Sequence, residues 1–184
     1  MTRPIIRHDS KDMGAKMIIK DKKIIEDDWI VLRLAEGDTP EGVVVPSGKV
    51  IVPLKVWQAQ RDGLLRRADL GVWLASDQRA EDLQNDLDEF SLIAVDFPKF
   101  ADGRSYSIAY RLRARFGYRG ELRAIGDVLR DQLFYMQRVG FDTFAPRADK
   151  NIDAALKGLS DFSLTYQASA DEKLPLFRRV QRGS

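Results

Sequence analysis

The stretch from Asp96 to Ser107 combines carboxylates, cations and a glycine around the expected start of a helix. Gly103 and Arg104 open this helix, where free backbone N–H groups, the helix dipole and the guanidinium together favour an anion such as sulfate, phosphate or a carboxylate. Helix capping by Asp102 or Ser105 is the structural alternative. The stretch therefore predicts either an oxyanion site or a well-capped helix.

Two aspartates are candidates for acid–base chemistry. Asp96 stands at the expected end of a buried strand, and Asp127 follows Gly126 after the next strand. A carboxylate in either place can act as a general base or orient a ligand. For Asp127, an N-cap on a helix beginning at Val128 is the alternative. We predict Asp96 and Asp127 as catalytic candidates, and the binding candidates are the charged and small residues nearby: Lys99, Asp102, Gly103, Arg104, Ser105, Arg123, Arg130 and Arg147.

Several classes of chemistry are excluded by composition. The chain has no cysteine and one histidine, His8, so thiolate catalysis, Cys-ligated clusters and multi-histidine metal sites are not expected. Neither G-x-G-x-x-G nor G-x-x-x-x-G-K-[ST] occurs, so no metal and no nucleotide cofactor is evident. A net charge of +2 argues against a dedicated nucleic-acid-binding protein.

Aromatic residues are concentrated near the expected fifth strand. They are Phe134, Tyr135, Phe141 and Phe144. Such a group can stack on the edge of a flavin or a haem, although core packing is the favoured interpretation.

The elements that must position these residues alternate along the chain. Short apolar strands are predicted at Val50–Pro53, Gly71–Ala75, Ser91–Val95, Leu122–Ile125, Asp142–Ala145 and Ser163–Tyr166. The intervening helices include one over Ala80–Phe90 capped by Ser76-Asp77, one over Arg104–Phe116, one over Val128–Val139 and one capped by Asp149. This alternation predicts an α/β fold with a five- to six-stranded, mainly parallel sheet of short βα repeats. Since a complete eight-fold barrel needs about 250 residues, we expect an open sheet or a partial barrel.

The N-terminal region is expected to differ from this pattern. Residues 1–16 carry no sustained period and predict a flexible arm, and residues 17–184 predict a single domain with a C-terminal tail. Two aliphatic runs over Met17–Ile25 flank a polar turn, which predicts a β-hairpin that Trp29–Leu34 extends. No apolar run reaches the ~20 residues of a membrane span, and no signal peptide is visible, so a cytoplasmic protein is expected.

Longer motifs carry a family resemblance. DFPKFADGRSYS begins at Asp96 and GELRAIGDVLRDQLF begins at Gly120, and GFD and DFS follow at Gly140 and Asp161. From about Ile18 to Phe177 the chain resembles an uncharacterised bacterial family, the domain of unknown function nine hundred and thirty-four. Its members are commonly encoded beside the assimilatory sulfite reductase haemoprotein and a phosphoadenylyl-sulfate reductase. The resemblance therefore implies a role in sulfite reduction, for which the family is often labelled a probable oxidoreductase.

Three functional hypotheses follow from the resemblance and the residues together. The first is an accessory protein that contacts the sulfite reductase haemoprotein or its electron donor, docking through the Trp29 hairpin or the apolar Leu174–Phe177 tail. The second is an oxidoreductase that uses a non-covalently bound flavin or a cofactor supplied by its partner. The third is an enzyme or sensor that binds a small oxyanion at the strand ends. No membrane and no nucleic-acid partner is expected.

Overall fold

A computed structural model describes residues 16–99, 102–159 and 169–170. Within these residues, eight strands form one mixed sheet. The strands are β1 (Met17–Lys20), β2 (Lys23–Glu26), β3 (Ile30–Val31), β4 (Val50–Pro53), β5 (Leu70–Leu74), β6 (Leu92–Phe97), β7 (Glu121–Gly126) and β8 (Thr143–Phe144). The α-helices are α1 (Leu54–Leu64), α2 (Arg104–Tyr110), α3 (Arg130–Val139) and α4 (Ile152–Gly158), and a π-helical turn at Arg111–Arg115 continues α2.

The sheet runs in the order β2-β1-β8-β7-β6-β5-β4-β3. Strands β3 to β8 are parallel, and each lies beside the next in sequence, while β1 is antiparallel to both β8 and β2. From β3 to β8, each connection leads to the neighbouring strand on the same side. Since such connections are right-handed, the helices lie on one face of the sheet. On that face the main core joins alternate strand residues to helix residues such as Trp57, Leu112 and Met136. The predicted parallel sheet and the N-terminal hairpin are both confirmed.

The sheet must curl strongly, because its two edges are joined by a very short connection. Strands β2 and β3 lie at opposite edges, yet only residues 27–29 separate Glu26 from Ile30. A connection of this length spans at most about 14 Å, whereas a flat sheet of eight strands is about 34 Å wide. The result is an open half-barrel whose two edges are brought close to each other.

The inner face of the curled sheet carries a second, smaller apolar cluster. Its buried residues come from β1, β4, β6 and β7 and from the residue after β8, and they are Ile18, Ile51, Leu92, Ala94, Ile125 and Ala145. Trp29, Val31 and Trp73 pack against this cluster. No residue of the four helices contributes to it, so among the described residues the interior is filled by strands and by the chain around β3.

One charged residue is buried within this interior. Arg123 of β7 is only 2% exposed, and its Nη1 lies 2.8 Å from Oδ1 of Asp27, whose side chain is fully buried. Its Nη2 lies 2.7 Å from Oε1 of Glu121. The ion pair ties the connection between the two sheet edges to β7, which β1 and β8 separate from β2 in the sheet order.

Two local predictions are wrong. The segment Trp29–Leu34 does not extend the hairpin, because Ile30–Val31 crosses to the far edge and pairs in parallel with β4. The segment Ala80–Phe90 is not an α-helix but two 3₁₀ turns, Ala80–Leu83 and Leu87–Glu89, and the first is capped at Arg79 rather than at Ser76-Asp77. The apolar positions still face the core.

Asp86 explains the break between the two 3₁₀ turns. Its φ and ψ of −118° and 8° are not helical. Its carboxylate accepts hydrogen bonds from Trp57 Nε1 at 2.9 Å and from Arg61 Nη2 at 2.7 Å. Asn85 and Asp86 are weak helix formers, so these contacts with α1 outweigh the local preference.

The predicted sixth strand at Ser163–Tyr166 lies outside the described residues, as does the predicted arm apart from Lys16. A sixth parallel strand is nevertheless present, since β3 takes the outermost place beside β4. The remaining strands differ from prediction by one or two residues at their ends, as is usual for element boundaries.

The hairpin turn gives a test of the fold. Asp21 and Lys22 have positive φ values of 48° and 61°, the backbone of a type I′ turn that normally favours glycine. We predict that Lys22→Gly raises the free energy of unfolding by about 0.5–1 kcal/mol, because glycine adopts this conformation without steric cost. Lys23→Gly, in the extended strand next to it, should lower the free energy of unfolding by about 1 kcal/mol. Denaturant unfolding followed by circular dichroism measures both, and a loss of stability in Lys22→Gly would contradict the turn.

Candidate functional site

The carboxyl ends of the parallel strands form one rim of the half-barrel, where ligands bind in parallel α/β proteins. Asp96 lies inside β6, opposite Ile125 of β7, rather than after the strand as predicted. Its side chain is 12% exposed, and its Oδ1 accepts a hydrogen bond from Arg33 Nη2 at 2.7 Å. The first catalytic candidate is therefore the buried half of an ion pair whose arginine is half exposed.

Arg33 reaches this rim from the chain that follows β3. Its guanidinium carbon lies 5.0 Å from the centre of the Trp73 ring, in a cation–π arrangement. Trp73 in turn donates a hydrogen bond from Nε1 to the backbone oxygen of Leu32 at 2.9 Å. These contacts hold the chain after β3 across the carboxyl end of the half-barrel.

The predicted anion site at the start of α2 is occupied by a neighbouring carboxylate. Arg104 Nε and Nη2 donate to the two oxygens of Asp102 at 3.0 and 2.7 Å, and Asp102 also accepts the backbone N–H of Arg104 at 3.1 Å. The Arg104 guanidinium, and after it the Ser76 hydroxyl, holds the pKa of the Asp102 carboxyl well below its usual range. An added anion would have to compete with Asp102 for this guanidinium.

The other candidates in this stretch have different environments. Ser105 is fully buried, and its Oγ donates to the backbone oxygen of Asp96 at 2.7 Å, which fixes the end of β6 to the start of α2. Gly103 is the N-cap residue of α2, with a φ of −71°. Lys99 is exposed.

Asp127 does not cap a helix, so that alternative is wrong. Helix α3 begins at Arg130 with Leu129 as its N-cap, because residues 126–129 form a turn after β7. Oδ1 of Asp127 accepts a hydrogen bond from Arg147 Nη1 at 3.1 Å. Its backbone N–H donates to Phe97 O at 2.7 Å, so Asp127 lies directly beside the end of β6.

Arg147 bridges two carboxylates at the rim. Besides Asp127, it binds Asp149 through Nε at 2.9 Å and Nη2 at 3.0 Å. These carboxylates, Asp149 first, raise the pKa of the Arg147 guanidinium. The predicted cap of α4 at Asp149 is wrong, since the Asn151 side chain accepts the N–H of Ala154 at 2.9 Å instead.

The two remaining binding candidates have different positions. Arg123 belongs to the buried ion pair of the interior. Arg130 is the first residue of α3, which follows the carboxyl end of β7, and its backbone packs closely against Gly158 of α4. Arg123 therefore has a structural role, whereas Arg130 is exposed.

Gly126 brings the two catalytic candidates onto neighbouring strand ends. Its φ is +90°, and a Cβ at this position would lie 2.5 Å from Phe97 O and 2.7 Å from Asp96 Oδ1. The absence of a side chain therefore lets the end of β7 approach β6. The two carboxylates nevertheless bind different arginines, Arg33 and Arg147.

The four aromatic residues do not form one surface. Phe141 and Phe144 are buried in the main core, whereas Tyr135 is exposed on α3 with Phe134 beside it in an edge-to-face contact at 5.7 Å. For Phe141 and Phe144, core packing is the observed role.

A cavity at the rim was not predicted from the sequence. About 370 Å³ in volume, it is lined by Arg33, Leu34, Pro53, Lys55, Trp73, Ala75, Asp77 and Gln78. Arg33 could not be placed here without the pairing of β3 with β4, and Trp73 had the pattern of a core strand residue. A larger cavity of about 730 Å³ lies at the opposite end of β7 and β8, between Arg113, Asp142 and Leu159.

The described residues contain neither a metal-binding cluster of side chains nor a membrane-spanning helix. Residues 16–99, 102–159 and 169–170 contain no group of three or more His, Cys, Asp or Glu side chains that could hold a metal ion. In the same residues, no helix has the length and apolar character needed to cross a membrane.

The chain belongs to a bacterial family. The family described as "Bacterial protein of unknown function (DUF934)" matches residues 71–177, which include β5 to α4 and the motifs that begin at Asp96 and Gly120. The resemblance inferred from those motifs is confirmed. Comparisons with curated proteins and with solved structures gave no match.

Gly126 and Gly103 provide a matched test of the rim. We predict that Gly126→Ala lowers the free energy of unfolding by about 2–4 kcal/mol, because φ is positive and the new methyl group meets Phe97 O and the Asp96 carboxylate. Gly103→Ala should raise it by about 0.4–1 kcal/mol, since its φ suits alanine and no atom of the described residues lies within 4 Å of the added methyl group. Denaturant unfolding of both variants is the measurement. Equal stabilities would show that β6 and β7 do not approach as described.

Proposed function

We propose that this protein is an accessory protein of assimilatory sulfite reduction that acts through contact with the sulfite reductase haemoprotein. The family resemblance supplies the process and the partner. The observation that carries the proposal is that the rim aspartates are used internally: Asp96 binds Arg33, Asp102 binds Arg104 and Asp127 binds Arg147. Charges paired in this way stabilise a scaffold, and a chain without cysteine must leave thiol redox chemistry to its partner.

The contact surface is proposed at the seam, which we define as the exposed aliphatic residues Met17, Ile25 and Ile30 where the two sheet edges meet. Ile25 pairs with Ile18, so the side chains of Met17 and Ile25 lie on opposite faces of the hairpin, and residues 27–29 lead directly to Ile30. Among the described residues, strand β2 is hydrogen-bonded in the sheet to β1 alone. Exposed aliphatic side chains on both faces of an edge strand suit a protein partner.

The seam replaces the docking segments expected from the sequence. Trp29 itself packs inward against the interior cluster, so it contributes to its own domain rather than to a free surface. The Leu174–Phe177 tail lies outside the described residues.

Co-purification at native expression level tests the proposal. The tagged protein should retain the haemoprotein in stoichiometric amount. Ile25→Asp, which places a charge on the 37% exposed seam residue, should reduce retention at least about tenfold. Val44→Asp is the matched control, because Val44 is 68% exposed in the loop between β3 and β4, and its retention should equal that of the wild type.

Two results would count against this account. Absence of the haemoprotein from the wild-type sample at both low and physiological salt would overturn the accessory function. Equal retention by Ile25→Asp and the wild type would overturn the seam as the contact surface. Circular dichroism of each variant establishes that the comparison is between folded proteins.

A further inference from the structure

The rim cavity lies where the carboxyl ends of β4 and β5 meet the chain after β3. Its walls are contributed by separate segments: Arg33 and Leu34 after β3, Pro53 and Lys55 at the start of α1, Trp73 and Ala75 around β5, and Asp77 and Gln78 beyond it. Its volume of about 370 Å³ is in the range of small-molecule sites. All of these lining residues belong to the described part of the chain.

Two cationic side chains that line this cavity have N–H groups without an acceptor among the described residues. Lys55 is exposed and has no hydrogen-bond or ion-pair partner among the described residues. Arg33 gives Nη2 to Asp96, and its other guanidinium nitrogens form no hydrogen bond within the described residues. Since a guanidinium and an ammonium bind a carboxylate more strongly than neutral donors do, the pair favours a carboxylate-bearing ligand.

The rest of the lining is suited to a flat apolar body. Trp73 is fixed by its hydrogen bond to Leu32 O and by the guanidinium of Arg33 over its ring. Leu34, Pro53 and Ala75 complete the apolar side. Because the guanidinium of Arg33 already lies over the Trp73 ring, a planar group in the cavity would contact the indole and the guanidinium together.

One residue of the lining restricts the charge of the ligand. Asp77 places a carboxylate in the same cavity as Arg33 and Lys55, so the total charge of these three groups is a single positive charge. A polyanion would be repelled by Asp77, whereas a monocarboxylate can meet both cations.

We propose that the rim cavity between Arg33, Lys55 and Trp73 binds a small planar monocarboxylate. The carboxylate lies between the guanidinium and the ammonium, and the flat body lies against the indole of Trp73. This site is separate from the seam and needs no partner protein, so its test is independent of the accessory function.

Titration of the isolated protein with benzoate tests the site. The three tryptophans give three indole N–H signals in a nitrogen–proton correlation spectrum, which Trp29→Phe and Trp73→Phe variants assign. Benzoate should shift the Trp73 signal saturably, with one molecule bound by calorimetry. Benzyl alcohol, which lacks the charge, and sulfate, which lacks the flat body, should each bind at least about tenfold more weakly.

Lys55→Gln is the decisive variant, because Lys55 has no hydrogen bond or ion pair with any described residue whose loss would unfold the protein. It should weaken benzoate binding at least about tenfold. Lys23→Gln, the same change on the exposed edge strand β2, should leave binding unchanged. Unaltered affinity in Lys55→Gln, or shifts confined to the Trp29 or Trp57 signals, would overturn the site. Sulfate binding as tightly as benzoate would overturn the planar class of ligand.

Discussion

The architecture depends on the buried ion pair between Asp27 and Arg123. A charged side chain inside an apolar barrel is strongly unfavourable unless its partners are also in place. Arg123 has two carboxylate partners, Asp27 and Glu121, and Glu121 also binds Lys20 of β1 at 2.6 Å. The group therefore connects β7, β1 and the short link between the sheet edges. Without it, the link would keep the packing of Trp29 on the interior cluster and the pair between Asp28 and Lys49, but it would lose its direct tie to β7.

The curl imposed by this link also determines what the rim can be. It directs the chain after β3 across the carboxyl ends of the strands, where Arg33 meets both Asp96 and Trp73. The charges at this rim are organised as pairs, with Arg104 on Asp102 and Arg147 on Asp127. The charges around much of the rim therefore compensate one another, and the cavity beside Lys55 is a place where a cation has no partner among the described residues.

The repeated parallel strands could be predicted from the sequence, whereas the curl that brings the two sheet edges together could not. Strands β4 to β6 consist mostly of consecutive apolar residues, and β7 repeats their spacing, so their positions and their parallel arrangement follow from local pattern. The two-residue β3 carries no such signal, since its place is set by pairing with β4 across the interior. The partner of Arg123 lies 96 residues away in sequence, and no spacing rule predicts so distant an ion pair. The charged residues that follow the strands could be predicted to share the rim, because each comes directly after a recognisable strand. Arg33 contacts Asp96 from a distant part of the sequence, and it was therefore not predicted.

The most direct test of the central claim is a double-mutant cycle between Asp27 and Arg123. Asp27→Ala and Arg123→Met should each lower the free energy of unfolding by about 3 kcal/mol or more, because the first removes one of the two carboxylates of the buried Arg123 and the second removes the hydrogen-bonded cation of the buried Asp27 carboxylate. The double variant should be more stable than the sum of the two losses predicts, by about 2 kcal/mol. Asp149→Ala provides the control, since the half-exposed Asp149 pairs with Arg147 and should add independently to Arg123→Met. Additivity of Asp27→Ala and Arg123→Met within about 0.5 kcal/mol would contradict the account.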